Sequence, residues 1–328
     1  MISDDRLNIL VVGGAGYIGS HMVKHLEQQG CSIKVLDNLS TGHADAVPVS
    51  CLVEGDLADI AMLDTLFAEN SFDAVIHFAS FSLVGESIIE PAKYYRNNIS
   101  NTQNLLDVMV KHAVLQLIFS STAAIFGEPE YLPIDENHPK KPLNPYGRSK
   151  WMVEQMLQDY DQAYGLKSIC LRYFNAAGAD PDGSLGERHE PETHLIPLLL
   201  QVASKQRDAI TVFGNDYNTA DGTCIRDYIH VNDLCEAHWL SLLFLQEDKE
   251  SQQFNLGNGS GFSVQQVIDA CLSITGEKIP VVHGDRRSGD PASLVADSKK
   301  AKQLLHWQPR FTDVRSMIDH ACRWKKAL

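Results

Sequence analysis

The chain has no CxxC pair, no basic tract and no long apolar run, and each absence removes a class of function. Its seven cysteines, Cys31, Cys51, Cys170, Cys224, Cys235, Cys271 and Cys322, are an odd number without pattern. A disulfide framework or structural zinc site is therefore not expected, and a reducing compartment fits. The formal net charge is −14, so neither nucleic acid nor an anionic membrane is expected as a main partner. An anionic small ligand is not excluded, because it needs only local donors. No stretch reaches the roughly 18 apolar residues of a membrane span. The opening "MISDDRLNILVV" begins with acids and has a short apolar run, which reads as neither a signal peptide nor an anchor. A cytoplasmic protein is expected. Internal repeats and low-complexity tracts are also lacking.

What is there is an alternation of short β-branched runs and longer helical patterns. With 328 residues and 44% hydrophobic composition, the chain can bury about two domains or one large α/β unit. "LNILVV" (7–12), "SIKVLD" (32–37), "AVIHFA" (74–79), "LQLIFSS" (115–121) and "SICLRYF" (168–174) read as strands. "YIGSHMVKHLEQQ" (17–29) reads as a helix with Ile18, Met22, Val23 and Leu26 on one face and Gly30 placed to end it. Helical patterns also fill 59–69, 93–112 and 148–164. This alternation predicts right-handed βαβ units in a Rossmann-type, doubly wound parallel sheet. After residue 175 the texture changes to a loop rich in Gly, Pro and acids, then to further short elements such as "AITVFG" (209–214) and "DYIHVNDLCEAHWLSLLFL" (227–245). Two domains are expected, 1–175 and 176–328. The second is a smaller α/β domain over the carboxyl ends of the parallel strands, with some segments returning to the first.

The turn after the first strand, "VVGGAGYIGSH", carries Gly13, Gly14, Gly16 and Gly19, so both GxxGxxG and GxGxxG are present. Glycine there allows a tight turn and close approach to a pyrophosphate, and the following helix N-terminus favours an anion. Asp37 ends the second strand 18 residues past Gly19. A carboxylate at that place accepts from ribose hydroxyls and repels a 2′-phosphate, which favours NAD over NADP. Asp56, in "EGDLAD", could accept from the adenine amino group or cap a helix. His21 and His25 have the i,i+4 spacing of a zinc pair. No third ligand is visible, so they read as a solvated helix face and no metal is expected.

"NPYGRSKWMVEQ" (144–155) places Tyr146 and Lys150 one helical turn apart, on one face. A nearby cation favours a phenolate, and a tyrosine moved from about 10 to about 7 could take a proton from a hydroxyl near neutral pH. YxxxK alone also fits a half-buried Tyr beside a solvated Lys.

Read in order, "GGAGYIGSH", "DNLSTG", "VIHFA", "FSSTAAIFG", "PYGRSK", "LRYFNAAGA", "DGTCIRDYIHV", "FNLGNG" and "RRSGDPASLVAD" resemble the UDP-glucose 4-epimerases of the extended short-chain dehydrogenase/reductase family. The resemblance runs from about residue 8 to residue 300. It implies that residues 1–175 bind NAD and that the rest mainly binds a nucleotide sugar. It also implies Tyr146 as acid/base and Lys150 as a ribose ligand that lowers the tyrosine pKa. Thr122 would be a proton relay, a role that spacing alone does not assign over Ser120 or Ser121. By resemblance the C4 hydride passes to NAD, the 4-keto sugar turns over and the hydride returns to the other face. Cofactor contacts map onto Gly13, Gly16, Tyr17, Ile18, Gly19, Asp37, Asn38, Ser40, Gly42, Asp56, Leu57, Phe78, Ala79, Ser82, Asn98, Lys150 and Phe174. UDP-sugar contacts map onto Thr122, Tyr146, Asn175, His194, Leu195, Phe213, Arg226, Arg287, Asp290 and Leu294. Arg226 and Arg287 suit a diphosphate, and Phe213 a uracil face. The family is commonly dimeric, so a homodimer through helices near 93–112 and 148–164 is expected.

Departures from the family pattern matter too. Phe126 precedes Gly127 where a tyrosine is frequent, Ser82 replaces a lysine of some members, and His194 replaces an asparagine. His194 reads equally as a phosphate donor or as a loop histidine. Leu294 stands where some members carry a bulky tyrosine, which could open the pocket to UDP-N-acetylhexosamines. A 4,6-dehydratase is disfavoured because Ala123 and Ala124 stand where elimination needs an acid. A UDP-glucuronate 4-epimerase and a non-catalytic NAD-sensing regulator are the remaining alternatives.

Overall fold

The computed structural model describes residues 6–287 and 291–327. In chain order the elements are β1 (Asn8–Val12), α1 (Tyr17–Gln28), β2 (Ser32–Asp37), β3 (Leu52–Glu54), α2 (Ile60–Glu69), β4 (Ala74–His77), α3 (Val84–Ile89), α4 (Pro91–Tyr95), α5 (Asn101–Lys111), β5 (Gln116–Thr122), α6 (Pro145–Tyr164) and β6 (Lys167–Tyr173). There follow β7 (Asn175–Ala177), α7 (Leu195–Ala203), β8 (Ile210–Phe213), β9 (Ile225–Arg226), β10 (Tyr228–His230), α8 (Val231–Gln246), β11 (Gln252–Leu256), β12 (Phe262–Ser263), α9 (Val264–Thr275), β13 (Val281–Gly284), β14 (Ser293–Leu294), α10 (Lys299–Leu304) and α11 (Val314–Ala327). No helix among the described residues is long and apolar enough to cross a membrane.

The residues form two compact bodies. The first comprises Met1–Phe126, Lys140–Arg172 and Cys235–Phe254, and the second Gly127–Pro139, Tyr173–Leu234 and Asn255–Leu328. The first is built on a seven-stranded sheet of order β11-β6-β5-β4-β1-β2-β3. β1 pairs in parallel with β2 and β4, β2 with β3, and β4 with β5. The run 3-2-1-4-5-6 is the doubly wound order, whose switch point lies between β1 and β4. A ligand is expected at the carboxyl ends of those two strands.

The strands are buried on both faces, which is why they read as continuous apolar runs rather than alternations. Leu10, Leu36, Val75, Leu117 and Phe119 of the sheet pack with Leu63, Leu105, Met109, Val153 and Leu157 of the covering helices. The long α6 has every local signal it needs. Asn144 caps it by accepting from Gly147 N at 2.8 Å, Pro145 fills the first turn, and Gly165 ends it with φ 73°. The expected helix over 93–112 is interrupted. α4 and α5 are joined by a π-helical turn, Arg96–Ser100, of the kind that often marks functional positions. The turn carries buried Asn98.

In the second body the sheets are small: β12-β9-β14, β10-β7 and β13-β8. Its core gathers Leu199 and Leu200 of α7, Val267 and Ile268 of α9, and Met317 and Ile318 of α11. Buried Asp227 is its polar hub, accepting from Asn258 N (2.7 Å), Gly259 N (3.0 Å) and Ala296 N (3.1 Å). Those bonds tie the loop after β11 and the end of β14 to the β9–β10 corner.

Candidate active site

The glycine turn sits at the switch point of the first body. Gly13 has φ 78°, and a Cβ there would come within 2.5 Å of Ala79 N just after β4. Gly19 is held closer still, with Gly13 O 2.2 Å from the place of a Cβ. The helix α1 starts at Tyr17 with Gly16 as cap, and among the described residues no side chain caps it and no acid lies in its first turn. Asp37, 8% exposed, accepts from Ala15 N through Oδ2 and from Leu39 N through Oδ1, both at 2.9 Å. Burial pushes its carboxyl up, and these backbone bonds pull the other way. A glycine-rich turn, a helix start with no side-chain cap and a buried acid at the tip of β2 together fit a dinucleotide.

Some of the other expected cofactor residues lie against the turn or bond to one another. Gly42 lies against Ala15 and Asp37 Oδ1, each about 3.0 Å from the place of a Cβ. Asn38 donates to Asp56 Oδ2 at 2.7 Å and accepts from Ser40 N at 3.0 Å. Asp56 does not cap α2. That role falls to Asp59, which accepts from Met62 N, while Asp56 turns back on Ala58 N at 2.8 Å. The Leu57 carbonyl accepts from Asn104 at 3.0 Å. Phe78 N and Ala79 N both donate to Val12 O, at 2.8 and 3.1 Å. Ser82 is exposed. Asn98 binds Phe81 through both its amide atoms and reaches Ser149 Oγ at 3.1 Å, so it ties the β4 loop to α6. Ile18 lies on the first turn of α1.

The centre of interest is where β5 meets α6. Thr122, 8% exposed, lies beside the Tyr146 side chain, and its Oγ1 accepts from Ala124 N at 3.1 Å. Gly147 explains the closeness. A Cβ at that position would lie 2.5 Å from Ala124 O, so only glycine lets the first turn of α6 approach the end of β5. Lys150, 2% exposed, donates from Nζ to Ser120 O at 2.8 Å and lies 4.8 Å from the centre of the Phe119 ring. Burial pushes its ammonium down to about 7, with Cys170 and Glu154 pulling the other way. Burial likewise pushes the Tyr146 phenol up, and the Thr122 hydroxyl only partly offsets this. The lowering of the phenol expected from Lys150 is therefore not produced by the chain's own groups. The ammonium is turned to the Ser120 carbonyl and is itself held close to neutrality.

A second layer went unread in the sequence. Ser121 Oγ donates to Glu154 Oε1 at 2.5 Å, and Arg172 of β6 grips the same carboxylate with Nη2 at 2.6 Å and Nε at 3.0 Å. The available signal was spacing, since Glu154 follows Tyr146 by eight residues and Lys150 by four. The expectation for His21 and His25 also changes. His21 is buried, with Nδ1 2.7 Å from Tyr17 O, and His25 lies 3.5 Å from Glu236. They are not a solvated face.

In the second body, Arg226 and Leu294 are register partners on β9 and β14. Arg226 Nη1 donates to Ile225 O at 2.7 Å. Arg287 lies over the Phe213 ring, 4.1 Å from its centre, so the phenyl face considered for a base already carries a guanidinium. Asn175, on β7, is exposed, and Phe174 N donates to Leu256 O at 3.4 Å. His194 precedes Leu195, the first residue of α7. Its Nδ1 is in contact with Glu187, which also meets His189 at 3.1 Å. Burial pushes both imidazoles down, but the carboxylates around them raise both on balance. Asp290 lies outside the described residues.

Comparison with known proteins agrees with this geometry. Residues 9–257 match the family described as "NAD dependent epimerase/dehydratase family". A protein of Halalkalibacterium halodurans named UDP-glucose 4-epimerase is 54% identical over 318 residues, covering 97% of this chain and 95% of the relative. A solved UDP-glucose 4-epimerase superposes with a TM-score of 0.96 at 51% identity, covering 98% of each chain. The Brucella ovis UDP-glucose 4-epimerase, solved in complex with NAD, superposes at 0.94 with 48% identity, covering 96% of this chain and 97% of that one. Matched by the family over three quarters of its length and by its relatives in sequence and fold over nearly all of it, this chain belongs to the NAD dependent epimerase/dehydratase family.

Proposed function

We propose that the chain is an NAD-dependent isomerase that interconverts UDP-galactose and UDP-glucose at C4. The observation that carries the reading is the Thr122 hydroxyl set beside the Tyr146 side chain at the end of β5, with buried Lys150 one helical turn further along α6. An NAD-sensing regulator has no use for that set. Identities of 46–54% to UDP-glucose 4-epimerases over nearly the whole chain support the same substrate.

Tyr146 takes the proton from the sugar 4-hydroxyl and later gives it back, and Thr122 Oγ1 relays it. NAD, held by the glycine turn, Asp37 and Lys150, supplies when bound a reversible two-electron acceptor for C4 and a formal positive charge. That charge matters because burial alone keeps the phenol protonated. In the second body, Arg226 is the diphosphate ligand, joined by Arg287 and Asp290, with Asn175, Leu195 and Phe213 beside the nucleotide.

Leu294 favours a second substrate class. It is half-buried beside Arg226, and leucine is shorter than tyrosine. We therefore include UDP-N-acetylhexosamines among the substrates, and Leu294→Tyr should suppress them while sparing UDP-galactose. A cytoplasmic homodimer through α5 and α6 completes the proposal, and sedimentation velocity tests the dimer.

Anomeric proton NMR with UDP-galactose and no added cofactor tests the central claim. UDP-glucose should grow in and reach the same ratio from either side. Tyr146→Phe should slow this by roughly 10²–10⁴-fold while NAD stays bound. An unchanged spectrum, even with NAD added, would overturn the assignment.

A further inference from the structure

The loop between β7 and α7 ends in "GERHEPETH", and four of its side chains converge. Glu187, His189, Glu192 and His194 each offer one ligand atom, and the four atoms lie within 4.8 Å of one another. His189 Nδ1 is 3.1 Å from Glu187 Oε1 and 3.8 Å from Glu192 Oε1, and His194 Nδ1 also touches Glu187 Oε1. Both carboxylates are only 6% exposed. Buried charges of one sign need a counter-charge.

Two imidazole nitrogens and two carboxylate oxygens make a donor set suited to zinc, which takes four such ligands as a tetrahedron with bonds of about 2.0–2.2 Å. Neighbouring donors then stand about 3.3–3.5 Å apart; His189 Nδ1 lies 3.1 and 3.8 Å from the two carboxylates, while His194 and Glu187 are in direct hydrogen-bond contact and would have to draw apart for both to ligate. We propose that Glu187, His189, Glu192 and His194 bind one divalent first-row metal ion, zinc by ligand type, as a closed structural site. Two carboxylates balance a dication. Thr193 N and His194 N donate to Glu192 Oε1 at 2.7 and 2.9 Å, which orients that ligand as outer-shell bonds do in metal sites. The span from Glu187 to His194 is short, so closing it costs little chain entropy. The ion pins the loop against the start of α7, and His194 is a metal ligand through Nδ1. This revises the expectation that no metal binds, which rested on the cysteines and on His21 and His25. The competing state is a metal-free network in which two protonated imidazoles balance the same two carboxylates.

The test uses tag-free full-length protein purified without chelator, with metal content measured by mass spectrometry. About one zinc per chain is expected. Chelator-stripped protein should take up zinc chloride saturably and melt at a higher temperature as it does so. His189→Gln and Glu192→Gln should each lower bound zinc to below about a tenth per chain. The proposal is overturned if the wild-type chain carries less than about a tenth of a zinc and the stripped chain shows neither uptake nor a melting shift. It is also overturned if both variants, folded by circular dichroism, keep full zinc. Because no readout involves epimerisation, its failure is distinct from failure of the proposed function.

Discussion

Removing either partner of the Glu154–Arg172 pair should destabilise the first body far more than removing both. The side chains are 0% and 3% exposed, and Arg172 makes Nη2 and Nε bonds of 2.6 and 3.0 Å to the carboxylate. Glu154→Leu leaves a buried guanidinium uncompensated, and Arg172→Met leaves a buried carboxylate. Each should cost about 3–5 kcal/mol. A body of this size loses roughly 2–4 °C of melting temperature per kcal/mol, so each single variant should melt roughly 6–20 °C lower. The double variant leaves neither charge of the pair. Its remaining loss is the Ser121 hydroxyl, which donated to Glu154 at 2.5 Å, worth about 1–3 kcal/mol when orphaned. Adding Ser121→Ala should recover most of that. Thermal melts of the four variants by circular dichroism complete the cycle. If the double variant loses as much as the two singles summed, the pair is not energetically coupled and the reasoning fails. The same proteins report on catalysis, since Ser121 adjoins Thr122. A lower kcat in the restabilised triple variant would show that the pair also positions the end of β5.

Three further outcomes follow from the site. Thr122→Val removes the hydroxyl proposed to bond a side chain that must carry charge, so kcat should fall about 10- to 150-fold with KM little changed, and an unchanged kcat would exclude the relay. Asp37→Asn removes a charged acceptor and should weaken NAD binding about 10- to 150-fold by calorimetry, with equal affinity counting against the ribose contact. Lys150 titrates at about 7 in the folded chain, against an ordinary value of about 10.4 unfolded. Between those values the unfolded chain binds the extra proton, so stability rises with pH. Cofactor-free wild type should therefore gain up to about 1.4 kcal/mol per pH unit over Lys150→Met between about pH 7.5 and 9.5, and parallel curves would mean the ammonium is not desolvated.

Local patterns carried much of this protein's sequence reading. β1, β2 and the glycine turn are legible because each needs only near neighbours: a short apolar run, a φ of 78° at Gly13, an acid at a strand end. α6 is legible for the same reason, with Asn144, Pro145 and Gly165 marking its ends. The break near residues 96–100 was not, since the turn RNNIS stays helical and carries no glycine or proline to mark it. Nor was the fate of three successive hydroxyl residues. Ser121 meets Glu154 and Thr122 meets Tyr146, two partners eight residues apart on the same helix, α6. Only the packing of α6 on β5, permitted by Gly147, brings those partners within reach.

Sequence by itself determined the fold class, the glycine turn after β1 and the placing of Tyr146 and Lys150 on one helix face, because these rest on local patterns of a few residues. Tertiary structure alone decided the charge states. Lys150 is held down and Tyr146 up because surrounding elements remove water from both, and no spacing in the chain records how much water is left.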